Sequence, residues 1–383
     1  MMAHVGRRLA WAAFVVWAVV TIAFFVNNVL PSDPARMVAG AQARPSDVAR
    51  IREQLGLDRP VLAQYGIFMR RLVHFGPTGF DSRDKVHGSC AGLGPLHFDL
   101  GRSYQQRRPV LTILGERFPR TLLLALSAVF VQLLLGVSAG VLAAVKRNSM
   151  WDYAAVGASL LGISAPTFVL GLALQFVFGH LLRVLPLDGF GLTAGDHAVS
   201  IVLPALTLGI FGAAYCTRLV RDEMVGLLKQ DHVRTARAKG LGEGAVVLRH
   251  ALRNALVPLV TVLGLDLGAL IGGAIVTESL FRWPGLGALS VNALLDRDGP
   301  LIMGTVIVTS MAVVLSSVLV DFCYVALDPR VREEPYVSSS SAPHHARAAT
   351  WNGSRYCSSA LHSLTRAPRP LLAQLWYAAF ACP

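Results

Sequence analysis

Residues that could do chemistry are few in this chain and lie far apart. Asp266 sits in an apolar run, VLGLDLGALIGG, with no charged neighbour. A carboxylate is costly in hydrocarbon, so it must face a water-filled path or hydrogen-bond another segment. Gln132 and Gln175 are polar groups in two other apolar runs. They can line a path or tie helices together. The densest charge lies between Asp231 and Pro258, DHVRTARAKGLGEGAVVLRHALRNALVP. It is basic and amphipathic.

Catalytic and metal-binding signatures are sparse. No GxxxxGK[ST] string occurs, and no Gly-Lys dipeptide, so the chain is not expected to hydrolyse ATP. No HExxH is present, which argues against a membrane zinc protease. The five cysteines form no CxxC pair, so neither a zinc site nor a disulfide framework is expected. His344 and His345 are a pair without further ligands nearby.

The elements that must position these residues are membrane spans. The chain has 383 residues, of which 54% are hydrophobic and 15% charged. That composition is polytopic. Apolar runs predict six helices, over about 9–30, 121–145, 153–178, 198–217, 256–277 and 301–325. Each can cross a core of ~30 Å, and lipid leaves helix as their only form. The first run is too long for a signal-peptide core, so a retained anchor is expected. The net charge of +12 gathers beside spans rather than on a soluble domain, so nucleic acid is not the expected partner. Arg7, Arg8, Lys146, Arg147, eight residues from Arg218 to Arg253, Arg330 and Arg332 fall on one side, against Arg183, Arg282 and Arg297 on the other. The positive-inside rule therefore puts both termini and the Asp231–Pro258 segment in the cytoplasm.

Four regions follow. Residues 1–30 hold the first span, 31–120 an external region, and 121–332 the membrane core, with a basic loop at 218–258 inside it. Residues 333–383 form a Ser-, Ala- and His-rich tail expected to be disordered. In the external region Ser46 reads as the N-cap of a short amphipathic helix, and Gly76–Pro95 reads as irregular chain. Pro166 and Pro204 are expected to kink their spans. Gly264, Gly268, Gly272 and Gly273 form a small-residue packing stripe. Trp283 suits a membrane-interface anchor or a gate.

Within the basic loop, Asp231 reads as an N-cap and Gly240 as the residue past a helix end, with positive φ. Val233, Ala236 and Gly240 share one small face, with Arg234 and Arg237 beside it. A second helix is expected from Glu243, with Leu248, Leu252 and Ala255 inward and Arg249 and Arg253 elsewhere. Pro258 would mark entry into span five. Two readings fit this pattern: a helix lying in the lipid headgroups, or one docking a protein.

The stretch TARAKGLGEGAVVLRHALRNALVP resembles the cytoplasmic loop of permease subunits in bacterial ABC importers of the dipeptide, oligopeptide and nickel class. Other ordered segments are similar to that family too. They are LPSDPA at 30–35, LGLDRPVLAQY at 55–65, DLGRSYQQRRPVLTILGERFPRTLLLA at 99–125, ISAPTFVLG at 163–171, LPALTLG at 203–209, GGAIVTESLFRWPGLG at 272–287 and LVDFCYVALDPRVR at 319–332. The resemblance covers residues 1–332. It departs at Arg234–Thr235–Ala236, where only the alanine matches the Glu-Ala-Ala of the broad importer class.

This resemblance implies an all-α membrane fold with six spans, a long external loop and a cytoplasmic coupling helix. Arg234, Ala236, Arg237, Gly240, Leu241, Arg253, Asn254 and Pro258 would form the ATPase-coupling segment. Asp266, Gln132 and Gln175 are candidates for the translocation path. The implied partners are a second homologous permease subunit, two cytoplasmic ATPase subunits or domains, an extracytoplasmic substrate-binding protein and the lipid bilayer. ATP and Mg²⁺ would be used by the ATPase partners, and this chain would bind no cofactor. The location is the bacterial inner membrane. An ion-coupled secondary transporter or channel is the alternative, on the strength of Asp266.

Overall fold

The computed structural model describes residues 2–29, 34–39, 43–54, 56–75, 90–93, 96–191 and 193–327. The tail at 333–383 and the stretch 76–89 lie outside them.

Apolar composition makes α1 (Met2–Val29) a helix along its whole length. Three shorter helices follow: α2 (Pro34–Ala39), α3 (Pro45–Gln54) and α4 (Val61–Leu72). Helix α3 starts at Pro45, so Ser46 lies inside it and is not its N-cap. A proline suits the first helical position because the N–H it lacks has no partner there. Helix α4 packs on α1: the Phe24 and Phe68 rings lie 5.3 Å apart, and the Thr21 and Tyr65 hydroxyls are hydrogen-bonded at 2.8 Å. Strands β1 (Val73–Phe75), β2 (Ala91–Leu93) and β3 (Leu96–Phe98) form an antiparallel sheet in the order β1-β3-β2. The expected irregular chain over Gly76–Pro95 is thus corrected at residues 91–93. There β3 supplies the ladder that local composition did not announce, with Ala91 opposite Phe98.

Helix α5 runs from Val110 to Val145, starting well before the expected Thr121. Its 36 residues reach roughly 54 Å, more than the hydrocarbon requires. Glu116, Arg117 and Arg120 ended the apolar run, but charge does not end a helix that extends beyond the lipid. The third crossing is broken. Helices α6 (Met150–Ser164) and α7 (Thr167–Leu174), the latter continued by a π-helical turn at Gln175–Leu181, meet at 107°. Proline disfavours helical ψ in the residue before it. Ala165 accordingly adopts ψ 128° and Pro166 ψ 138°, so the expected kink is a full break.

Thr193 and Asp196 form a capping box on α8 (Ala194–Ser200). Helix α9 (Val202–Leu227) follows. Pro204 falls in its first turn, where no backbone donor is needed, and the expected kink is absent. Next come α10 (Asp231–Ala238), α11 (Glu243–Ala245), a π-helical segment at Val246–Leu252 and α12 (Arg253–Gly273). Helices α13 (Ile275–Leu280), α14 (Leu286–Leu295) and α15 (Gly299–Leu327) complete the described chain. Among the described residues five helices are long and apolar enough to cross a membrane, or six if the bent α6–α7 pair counts as one span. The fold is the expected all-α membrane architecture.

Small residues set the spacing of the bundle. Gly136 and Gly140 of α5 face Cys216, Thr217 and Val220 of α9. The stripe on α12 meets α15, with Gly268 against Ser316 and Gly272 against Val313.

Candidate functional site

The basic segment folds as an elbow. The N-cap position of α10 is Gln230, in extended conformation and without a side-chain capping bond, and not Asp231, which is the first helical residue. Its end is a Schellman turn. The Gly240 N–H donates to the Arg237 carbonyl at 2.9 Å and the Leu241 N–H to the Ala236 carbonyl at 3.4 Å. Gly240 takes φ +78°, as its sequence position required. Arg237 then reaches across the turn to Glu243, at 2.8 and 3.2 Å. That hydrogen bond holds the Arg237 guanidinium above its ordinary pKa.

The face of α10 that turns inward corrects one expectation. Val233 and Ala236 are buried against Val246 and Leu228 of the same chain. Ala236 is therefore a packing residue of the elbow and does not present its side chain outward. Arg234, Arg237, Gly240 and Leu241 are exposed. The second arm departs from expectation at one position, Leu248. Val247, Ala251, Ala255 and Leu259 form the inward stripe, while Leu248 is 62% exposed. A π-turn accommodates one extra residue, so the inward position moves from Leu248 to Val247, while Ala255 keeps its expected inward place and Leu252 packs against the same cluster. Arg253 and Asn254 are exposed. Pro258 lies inside α12 and does not mark its start, because the helix runs on from the π-helical segment. The elbow is thus joined to the crossing without an intervening loop.

Two of the three polar span residues come together. The Gln132 amide donates to Asp266 at 2.7 Å and approaches the Cys216 sulfur at 3.2 Å. Gln132 is buried, whereas Asp266 is only partly so. The carboxylate that had no charged neighbour in sequence has an amide partner from α5. Gly212 leaves the room in which the Gln132 amide sits. Gln175 lies elsewhere, donating to the Leu187 carbonyl at 2.7 Å.

The string Gly136–Gly140 reads GVSAG, the form of a hydrolase nucleophile turn. It lies mid-helix, and the Ser138 hydroxyl donates to the Leu134 carbonyl at 2.5 Å. The strand-to-helix turn that exposes such a nucleophile is missing, and the glycines serve packing against α9.

A second ordered centre, at the bundle end opposite the elbow, gave only a faint sequence signal in the string TESLFRWPGLG. Glu278 of α13 is fully buried. It accepts hydrogen bonds from the Thr121 hydroxyl and the Ala288 N–H, each at 2.9 Å. Thr121 in turn accepts from the Leu286 N–H at 2.7 Å. Burial pushes the Glu278 carboxyl up, and the bonds from Ala288, Thr121 and Gly287 oppose that shift. Trp283 is buried too. Its indole N–H donates to the Arg120 carbonyl at 3.1 Å, and its ring meets Phe190 edge-on at 4.8 Å. It is a core residue and not an interface anchor.

Five long apolar helices, one bent helix pair and an elbow continuous with one of those helices describe a multi-pass helical membrane component. Residues 136–333 match the model of the binding-protein-dependent transport system inner membrane component family, and residues 1–125 match its N-terminal counterpart. The chain belongs to this family, and it is a permease subunit of an ABC importer. It is 38% identical over 336 residues to a Brucella abortus chain that bears the name of a peptide transport system permease protein, covering 87% of this chain and 99% of that one. It is 37% identical to the glutathione transport system permease protein of Salmonella paratyphi A, covering 87% and 99%. It is 33% identical to the dipeptide transport system permease protein of Alkalihalophilus pseudofirmus, covering 87% and 100%.

Proposed function

We propose that this permease carries peptides or a chemically related solute inward, and that the 231–258 elbow receives the stroke of a cytoplasmic ATPase. The names of the relatives support the solute class. The elbow supports the coupling, because its short helix is held by a Schellman turn, an Arg237–Glu243 pair and a buried seam to Val246. A push on α10 therefore moves α12. Both termini face the cytoplasm on this reading, which the distribution of Lys and Arg supports. The complete importer holds a second permease subunit, two ATPase subunits that use ATP and Mg²⁺, and a binding protein outside the membrane.

Gly240→Val tests the coupling. A Cβ at Gly240 meets nothing within 4 Å, so packing is spared. The left-handed φ costs a non-glycine residue about 1–2 kcal/mol, and more for a β-branched one. The elbow angle should change, with ATPase subunits lost from the purified complex and uptake reduced at least ten-fold at equal membrane abundance. Wild-type co-purification and uptake would refute the assignment.

The Asp266–Gln132 pair is the proposed polar lining of the path. Asp266→Asn preserves an acceptor for Gln132 while removing the charge. The expected result is unchanged assembly with altered uptake at limiting solute. Uptake equal to wild type would remove Asp266 from the path. The same pair favours a second reading, an ion-coupled carrier, because an intramembrane carboxylate can exchange a cation or proton. Uptake that survives ATP depletion but collapses with the ion gradient would select that reading.

A further inference from the structure

Buried Asp152 and half-buried Arg221 form a pair that the elbow, the polar span residues and the Glu278 centre leave unexplained. Asp152 lies in the first turn of α6, with its side chain 3% exposed. Arg221 lies two turns before the end of α9. The guanidinium meets the carboxylate side-on, Nε to Oδ1 at 2.6 Å and Nη2 to Oδ2 at 2.9 Å. Asp152 Oδ2 also accepts the Asn148 N–H at 2.9 Å, so one carboxylate closes the α5–α6 turn as well. A bidentate Arg–carboxylate contact fixes direction as well as distance, which a point charge cannot do.

Placement gives the pair its meaning. On its other side, α9 packs through Val220 and Met224 in one cluster with Val247, Ala251 and Ala255 of the elbow's second arm. Helix α6 leads to the 107° break, and α7 beyond it touches the far end, where Gly171 faces Leu280 and Phe281 of the Glu278 hairpin. The pair thus sits between the elbow and the one crossing that is already divided into two arms.

We infer that Asp152 and Arg221 are positioning residues that make α6 move with α9, so that displacement of the elbow drives the hinge of the third crossing. The inference rests on the proposed ATPase coupling through the elbow. Charge alone would not transmit a rotation, but two parallel hydrogen bonds between rigid helices do. Coupling needs an element that the stroke can bias, and the break at Ala165–Pro166, where the helix ladder is interrupted, is the place for α6 to turn against α7.

Spin labels on the assembled importer in lipid test it, in a cysteine-free background, without knowledge of the solute. One pair joins exposed Leu161 of α6 to exposed Leu295 of α14, and a second joins Leu241 of the elbow to Leu295. A non-hydrolysable ATP analogue should shift both distances in the otherwise wild-type complex. In Asp152→Asn the Leu241–Leu295 shift should persist while the Leu161–Leu295 shift is lost. The exchange Asp152→Arg with Arg221→Asp should recover part of it, since it rebuilds the α6–α9 pair but not the acceptor for the Asn148 N–H. Arg221→Lys, which keeps the charge, should lose most of the α6 shift and serves if Asp152→Asn does not assemble. An α6 shift of wild-type size in both single variants would overturn the inference. A Leu241–Leu295 distance that ignores the nucleotide in the wild type would instead overturn the coupling reading, and the inference with it.

Discussion

Gly285→Ala should cost this permease about 3 kcal/mol or more and disorder the far-end hairpin. A Cβ there would lie 2.5 Å from Glu278 Oε2 and closer still to Oε1. A side-chain tip can often step aside, but this one cannot. It is fully buried and holds Thr121 and Ala288 by hydrogen bonds. Moving it leaves those donors unsatisfied in a dry site, at about 1–3 kcal/mol each. Overpacking adds a similar amount. The comparison variant is Glu278→Gln, whose carbonyl can still accept a backbone N–H while its amide donates to Thr121. Thermal unfolding in detergent and protease resistance of the hairpin are the measurements. Gly285→Ala should fall well below Glu278→Gln in both. Equal behaviour would show that the carboxylate is not confined as described.

Gly140→Leu should remove most of the protein from the membrane. A Cβ at Gly140 would sit 2.8 Å from the Thr217 carbonyl oxygen and 2.8 Å from Val220 Cβ. The first is backbone and the second is the branch point of a fully buried side chain, so neither can rotate away. Helices α5 and α9 must separate, and the contacts at Gly136 and Gly209 open with them. In lipid these helices associate mainly by close packing, because hydrocarbon solvates an exposed leucine as well as a buried one. The expected loss is about 3 kcal/mol or more, a large share of the 5–15 kcal/mol available to a typical domain. Gly157→Leu is the control, because a Cβ there meets nothing within 4 Å. Membrane abundance and the monodisperse fraction after extraction should drop several-fold for Gly140→Leu only. Matching profiles for the two variants would disprove the close approach.

Local periodicity made several features legible before any coordinates. Apolar runs located every crossing, because lipid forces each such run into a helix. Gly240 declared its turn, because positive φ is a property of one residue and its neighbours. The basic segment identified the elbow, and Asp266 identified a carboxylate in need of a partner. What these residues touch was not legible. Gln132 and Asp266 are 134 positions apart, and Thr121 and Glu278 are 157 apart. No local pattern encodes such pairs in a single chain.

The inward faces were lost for a related reason. Ala236 and Leu248 were each placed by counting along an ideal helix. The count failed at Leu248, where the π-turn shifts the inward position by one, and it held at Ala236, which shares a face with Val233, but Val246 folds back to cover that face. Trp283 read as an interface residue by type, yet Phe190 and the Arg120 carbonyl draw it inside. The sequence by itself determined where the long apolar helices lie and where the elbow turns, since each of these is set within a few residues. Only the tertiary structure decided which side chains meet across helices, how sharply the third crossing breaks, and what clamps α6 to α9, because those depend on contacts between residues that the chain keeps far apart.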